Sequence, residues 1–302
     1  MQTRNLSGVY VAAVTPLRSD GTPAIENIIE LLTFFSEQGA HGALLFGTTG
    51  EGPSFSPKER ILVWEEAARI KEQSPEFRLI AGTGTPSLSE TIMLNQVAFD
   101  LGFDAVLSLP PYYFRDASDQ GLLNWFSELI ESSVPEEGNF MAYHFPQVCG
   151  VPLSIQLLKD IKEKYPNRFV GVKDSSGDFK FAKLMVEELP GVQIFVGNDM
   201  LLSKNLEIGG AGSITAASNL ISPLMRRIWE NFRDGENTSE DQAVVDEVRG
   251  IVNQLAPFPA SMKALLKELY GLPEWLVKPP LEMIDHKSIT ASAQKLRRLL
   301  DV

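Results

Sequence analysis

Lys173 is the residue on which the chemistry of this chain turns. It stands in Phe169-Val-Gly-Val-Lys-Asp-Ser-Ser-Gly, a segment that is apolar up to that point. A lysine inside a buried strand points either to the interior or to an outer layer of helices. Both places are dry, so its ammonium form loses hydration there. The neutral amine is a nucleophile that can condense with a ketone to give a Schiff base. Spacing alone leaves a second reading open, a structural lysine paired with Asp174 or reaching past the strand end. Tyr143 ends the preceding apolar segment, Asn139-Phe-Met-Ala-Tyr-His-Phe-Pro. Its phenol can hydrogen-bond a substrate held on the lysine or move a proton. It can equally be a core tyrosine with its hydroxyl satisfied. His144 must face away from Tyr143, because successive strand residues point to opposite faces, and it reads as structural.

Three further segments carry polar groups at the ends of apolar runs. Gly47-Thr48-Thr49-Gly50-Glu51 is a glycine-bounded turn whose paired hydroxyls and backbone N–H groups can hold a carboxylate. Pro110-Pro111-Tyr112-Tyr113 offers aromatics for a proton path, an interface or simple packing. Gly197-Asn198-Asp199 can hold substrate hydroxyls or merely turn the chain. Other chemistries fit poorly. The three histidines, His41, His144 and His286, lack metal-ligand spacing. No Gly-x-Ser-x-Gly elbow occurs. Gly82-Thr-Gly-Thr-Pro lacks the third glycine of a dinucleotide fingerprint, and Gly209-Gly-Ala-Gly212 precedes a strand instead of opening a helix.

The elements that must position these residues alternate. Short apolar strands are expected at Val9–Leu17, Gly42–Gly47, Arg78–Gly84, Asp104–Pro110, Asn139–Pro146, Phe169–Ser175, Val192–Gly197 and Gly212–Ala217. Their near-continuous hydrophobicity fits a parallel sheet buried on both faces. Helical periodicity fills the gaps, as in Ile25–Gln38, Ser87–Asp100, Asp116–Ser132, Ser154–Lys164, Phe179–Leu189 and Ser222–Asp234, with a short helix near Met200–Ile208. Ser56-Pro57 opens another with an N-cap and a first-turn proline. Eight strand–helix units predict a (β/α)8 barrel over residues 1–234. In such barrels the active site lies at the C-terminal ends of the strands, where Lys173, Tyr143, Thr48, Thr49, Tyr113 and Asp199 fall. Residues 235–302 add helical patterns at Gln242–Gln254, Ala260–Tyr270 and Lys287–Leu300, an expected extension packed on the barrel.

Composition narrows the partners. The chain has 302 residues, a net charge of −12, 44% hydrophobic residues and one cysteine, Cys149. The acidic balance argues against nucleic acid and anionic membranes as partners. It leaves room for a small anionic substrate in one local pocket. No apolar run approaches the roughly 18 residues that cross a bilayer. The first residues resemble no signal peptide, and a lone cysteine suits a reducing compartment, so a cytoplasmic enzyme is expected.

Taken together, Ala13-Val-Thr-Pro16, Gly47-Thr-Thr-Gly-Glu51, Pro111-Tyr-Tyr113, Tyr143-His-Phe-Pro146 and Gly171-Val-Lys-Asp174 resemble, in order and spacing, the dihydrodipicolinate synthase and N-acetylneuraminate lyase superfamily. The resemblance covers essentially the whole chain. It implies a metal-free aldolase, lyase or dehydratase with no cofactor beyond a covalent lysine adduct. Lys173 would form a Schiff base with pyruvate or another 2-oxo acid, and Tyr143 would shuttle protons. Thr48 would link Tyr143 to Tyr113 in a relay, and Thr49 would bind the 2-oxo acid carboxylate. Ile214 would offer its backbone carbonyl. Tyr113 would cross into a neighbouring subunit, which implies a homodimer or homotetramer.

The resemblance also bears on the substrate. Synthases of the family carry an arginine two residues after the proline of the tyrosine motif. Here Val148 stands there, and valine cannot clasp a carboxylate. Sialic-acid lyases carry a serine where this chain has Ala216. Ser175, Gly197 and Asp199 would hold a polyol tail. The expected function is a pyruvate-yielding aldolase for a deoxy-2-oxo sugar acid or a hydroxy-2-oxo acid. The alternatives are a 4-hydroxy-tetrahydrodipicolinate synthase, a Schiff-base dehydratase, or a keto-acid sensor without turnover.

Overall fold

A computed structural model describes residues 5–301. Eight parallel strands close into a barrel in chain order. They are β1 (Gly8–Ala12), β2 (Gly42–Leu45), β3 (Arg78–Gly82), β4 (Ala105–Ser108), β5 (Phe140–His144), β6 (Phe169–Asp174), β7 (Gln193–Val196) and β8 (Gly212–Thr215). The closing seam pairs Tyr10 of β1 with Ile214 of β8. Every expected strand is present. Each stops short of its expected end, because the apolar residues beyond it already belong to loops over the barrel mouth.

Two cores result. Tyr10, Leu44, Ile80, Leu107, Met141, Phe195 and Ile214 fill the barrel interior. A larger core lies between the sheet and the helices. Burying one such side chain stabilises the fold by about 1.5–3 kcal/mol. Tyr10 and Phe195 meet edge to face across the interior at 5.8 Å.

One irregularity matters for the site. Phe140 pairs with Phe169, but the next residue, Met141, pairs with Gly171, so β6 carries one extra residue. Such a bulge reverses the facing of every residue beyond it. Val170 lies in the interior core and Val172 in the outer one. Strict alternation from Val170 would have turned Val172 inward and Lys173 outward. The bulge instead brings Lys173 inside, opposite Tyr143.

Serine and aspartate caps start several of the helices, and the one expected from Asp116 starts at Asp119 behind Ser118. Ser56 and Glu59 form a reciprocal capping box, and Ser87, Ser118, Ser154 and Asp178 accept first-turn N–H groups. The eighth barrel helix departs from expectation. It spans Ser218–Arg233 and starts four residues before the expected Ser222. Pro223 lies within it rather than at its start, and the backbone kinks at Ile221 (φ −128°). Two one-turn helices, Ile70–Gln73 and Pro146–Cys149, were not foreseen, being too short to show periodicity.

Three helices follow the barrel: Ser239–Val252, Phe258–Tyr270 and His286–Leu300. They are pinned to it by specific bonds. The Tyr270 hydroxyl donates to the Leu220 carbonyl at 2.5 Å, and Trp275 Nε1 donates to Asn27 Oδ1 at 3.1 Å. Among the described residues no helix is long and apolar enough to cross a membrane.

Candidate active site

β5 and β6 set the centre of the site. Their register places Lys173 and Tyr143 side by side on the inner face, 3% and 4% exposed. Lys173 Nζ lies 4.4 Å from the centroid of the Tyr143 ring. The ring face therefore offers a weak electrostatic partner to the cation without holding it in a salt bridge. The alternative pairing of Lys173 with Asp174 does not occur. Asp174 faces outward beside His144, and its Oδ1 accepts the Ser176 N–H at 2.9 Å. Burial raises the Asp174 carboxyl above its ordinary value. His144 is structural, as expected. Its Nδ1 accepts the Leu153 N–H at 3.1 Å, and burial pushes its pKa down to about 4.

The Tyr143 hydroxyl is the hub. It lies 3.3 Å from Thr48 Oγ1, and Ser175 Oγ donates to it at 3.4 Å. Ser175 shares the inner face with Lys173 because it stands two residues later. Gly197, on the neighbouring strand end, makes room for it. A Cβ there would come within 1.9 Å of Ser175 Oγ. Gly47, Thr48, Leu107, Leu109 and Val148 line a narrow cavity against Tyr143. Val148 is 54% exposed and provides no charge at this opening.

The Gly47–Glu51 turn is bracketed by two non-glycine residues in the left-handed region, Phe46 and Glu51, both at φ 57°. Such residues are held there only where the surroundings demand it. Glu51 N–H donates to Thr48 O at 3.1 Å, and Gly52 N–H to Gly47 O at 3.1 Å. Among the described residues the N–H groups of Thr48 and Thr49 reach no backbone acceptor. Adjacent free amides of this kind form a concavity suited to an anion. Thr49 is buried and Thr48 exposed toward the cavity.

The remaining candidates are placed differently. Ile214 is fully buried in the interior core on β8. Tyr113 is 77% exposed, and its ring meets that of Phe114 edge to face at 5.3 Å. Within one chain it does not join the Thr48–Tyr143 pair. Asp199 is fully buried, and its Oδ2 is bound by Arg249 Nη1 at 2.5 Å. Asp199, expected to hold a polyol tail, thus forms an internal ion pair with the C-terminal extension through Oδ2, while its buried Oδ1 meets no partner among the described residues. Arg249 lies 50 residues downstream, and nothing local in the sequence announces it.

A second buried pair was missed altogether. Glu51 Oε1 meets Lys263 Nζ at 2.5 Å, with both side chains fully buried. Burial lowers the Lys263 pKa, and Glu51 opposes that shift. One signal was available: Lys263 interrupts Pro259-Ala-Ser-Met-Lys-Ala-Leu-Leu, a stretch otherwise without charge.

Comparison with known proteins identifies the family of this fold. The model of the dihydrodipicolinate synthetase family matches residues 5–299. The chain belongs to that family. A DapA-like lyase of Chloroflexus aurantiacus, itself uncharacterized, is 36% identical over 294 residues, covering 97% of each chain. The structure of YagE, a prophage protein of the dihydrodipicolinic acid synthase family from E. coli K12 in complex with pyruvate, superposes with a TM-score of 0.91. It is 22% identical, and the match covers 98% of this chain and 99% of that one. A catalytic lysine mutant of the Ruminococcus gnavus sialic acid aldolase gives a TM-score of 0.91 at 23% identity, covering 100% and 99%. Both share the barrel fold. The family comprises lyases and class I aldolases, and the chain is an enzyme of that class.

Proposed function

We propose that this enzyme is a pyruvate-dependent aldolase that forms a Schiff base on Lys173 and acts on a deoxy-2-oxo sugar acid or a hydroxy-2-oxo acid. The observation that carries the reading is the placement of the Lys173 amine over the Tyr143 ring, with the Tyr143 hydroxyl beside Thr48. The Lys173 nitrogen adds to the 2-oxo carbon, and the Tyr143 hydroxyl gives its proton to the former carbonyl oxygen. Water leaves, and an iminium remains. The C3–C4 bonding pair then moves into the iminium to give an enamine. The Tyr143 phenolate takes the proton of the C4 hydroxyl, and the aldehyde departs. Protonation at C3 and hydrolysis release pyruvate and restore the lysine.

The other residues orient the substrate. The amides of Thr48 and Thr49, with the Thr49 hydroxyl, hold the carboxylate, and the Ile214 carbonyl lines the same space. Ser175, freed by Gly197, reaches a substrate hydroxyl. The YagE complex with pyruvate and the catalytic lysine of the R. gnavus aldolase support the assignment of substrate and nucleophile. Val148 favours an uncharged distal group over the carboxylate that a synthase must grip. Tyr113 completes the relay in a neighbouring subunit of a homo-oligomer, a role that its exposure supports.

A panel of aldehydes offered with pyruvate tests the substrate class. Condensation with hydroxyaldehydes or glyoxylate, and little with aspartate semialdehyde, is expected. Preferential turnover of aspartate semialdehyde would make the enzyme a synthase instead.

A further inference from the structure

The Glu51–Lys263 pair lies behind the turn that presents Thr48 and Thr49. Both oxygens of Glu51 are occupied. Oε1 meets Lys263 Nζ at 2.5 Å, and Oε2 accepts the Lys278 N–H at 2.7 Å. Lys263 Nζ also donates to the Leu276 carbonyl at 2.6 Å. One buried carboxylate therefore joins the turn after β2 to the Phe258–Tyr270 helix and to the segment that follows it. Lys278 extends the join. Its Nζ binds Glu59 Oε1 at 2.5 Å and lies 4.4 Å from the Phe55 ring centroid. On the opposite side of the turn, Thr15 Oγ1 donates to the Gly50 carbonyl at 2.8 Å.

We propose that Lys263 is a positioning residue for the 2-oxo acid carboxylate: acting through Glu51, it holds the Gly47–Glu51 turn in the form that aims the Thr48 and Thr49 amides into the site. The proposal rests on the reading of those amides as the carboxylate ligand. Glu51 stands at φ 57°, where an ordinary side chain stays only when its surroundings hold it. Its own N–H bonds Thr48 O, so a change at Glu51 is passed to the peptide that bears the Thr49 N–H. A buried ion pair is all or none: removing the lysine leaves an uncompensated carboxylate, which moves toward water and takes the turn with it. The C-terminal extension thereby supports a cavity whose lining residues, among those described, all belong to the barrel.

The test uses the full chain with Lys263→Met. A double variant, Glu51→Gln with Lys263→Met, buries no unpaired charge and serves where the single variant does not fold. Two readouts are taken. The first is amide hydrogen exchange of peptides spanning Phe46–Phe55, expected to quicken by about tenfold or more while β5 and β6 peptides stay unchanged. The second is the pyruvate concentration for half-maximal borohydride trapping, expected to rise by about tenfold at an unchanged saturating yield. Lys263→Arg should recover most of both. A folded variant with wild-type exchange in the turn overturns the proposal, even where its melting temperature falls. Failure of the wild-type protein to trap pyruvate would defeat the reading of the site, whereas exchange in the turn would still decide the role of Lys263.

Discussion

The Tyr143 hydroxyl meets both Thr48 and Ser175 beside the Lys173 amine, and its loss is the sharpest test at the residue scale. Tyr143→Phe keeps the ring under Lys173 and removes only the hydroxyl. The expected outcome is a kcat lower by about 10²–10⁴-fold, with little change in KM. Steady-state kinetics check it, and a loss below about tenfold would assign the proton transfers to another group. The types of Lys173 and Tyr143, and their place at strand ends, were legible in the sequence. The direction of Lys173 was not, because a bulge is a property of the pairing and not of one segment. Asp199 shows another limit: its position at the end of β7 was legible, whereas its ion-pair partner Arg249 comes from a distant helix.

At the scale of elements, the β6 bulge decides which way the nucleophile points. Gly171 allows it. A Cβ at Gly171 would lie 3.0 Å from the Gln193 carbonyl oxygen and 3.1 Å from Met141 Cε. Gly171→Val should therefore crowd β7 and Met141, costing about 1–3 kcal/mol in urea unfolding. It should also lower activity per folded molecule, because relaxation of the bulge turns Lys173 away from Tyr143. Full activity in the folded variant would show that the bulge does not set the orientation of Lys173. The strands themselves were easy to read, since burial on both faces makes each a short apolar run. The start of the eighth barrel helix was not legible, because the kink at Ile221 and the proline at 223 break the periodicity of its first turn.

Across the whole molecule, two histidines, His144 buried and His41 part-buried, are held neutral. His144 is pushed down to about 4 by burial. His41 is pushed down to about 3 by burial and by Arg226, Arg78 and Arg233. Each accepts a backbone N–H at Nδ1, from Leu153 and from Val9. The unfolded chain takes up protons below about pH 6.5 and the folded one does not, so stability is complete above that pH and falls as acid is added. Between pH 7 and pH 5, His144 alone should remove about 2 kcal/mol, with His41 acting in the same direction. Urea midpoints across this range check it, and His144→Gln should flatten the slope; a slope unchanged in that variant would place the acid sensitivity elsewhere. The three helices of the extension were legible from periodicity. Their attachments, Arg249 to Asp199 and Lys263 to Glu51, pair residues 50 and 212 positions apart and have no local signature.

The central claim is that Lys173 forms a covalent bond with a 2-oxo acid. Borohydride reduction of the protein with pyruvate, followed by mass spectrometry of its peptides, tests this most directly. One pyruvate-derived adduct per chain, located on Lys173 and lost in Lys173→Ala, is the predicted result. An unmodified Lys173 peptide, or an adduct that persists in Lys173→Ala, would contradict it.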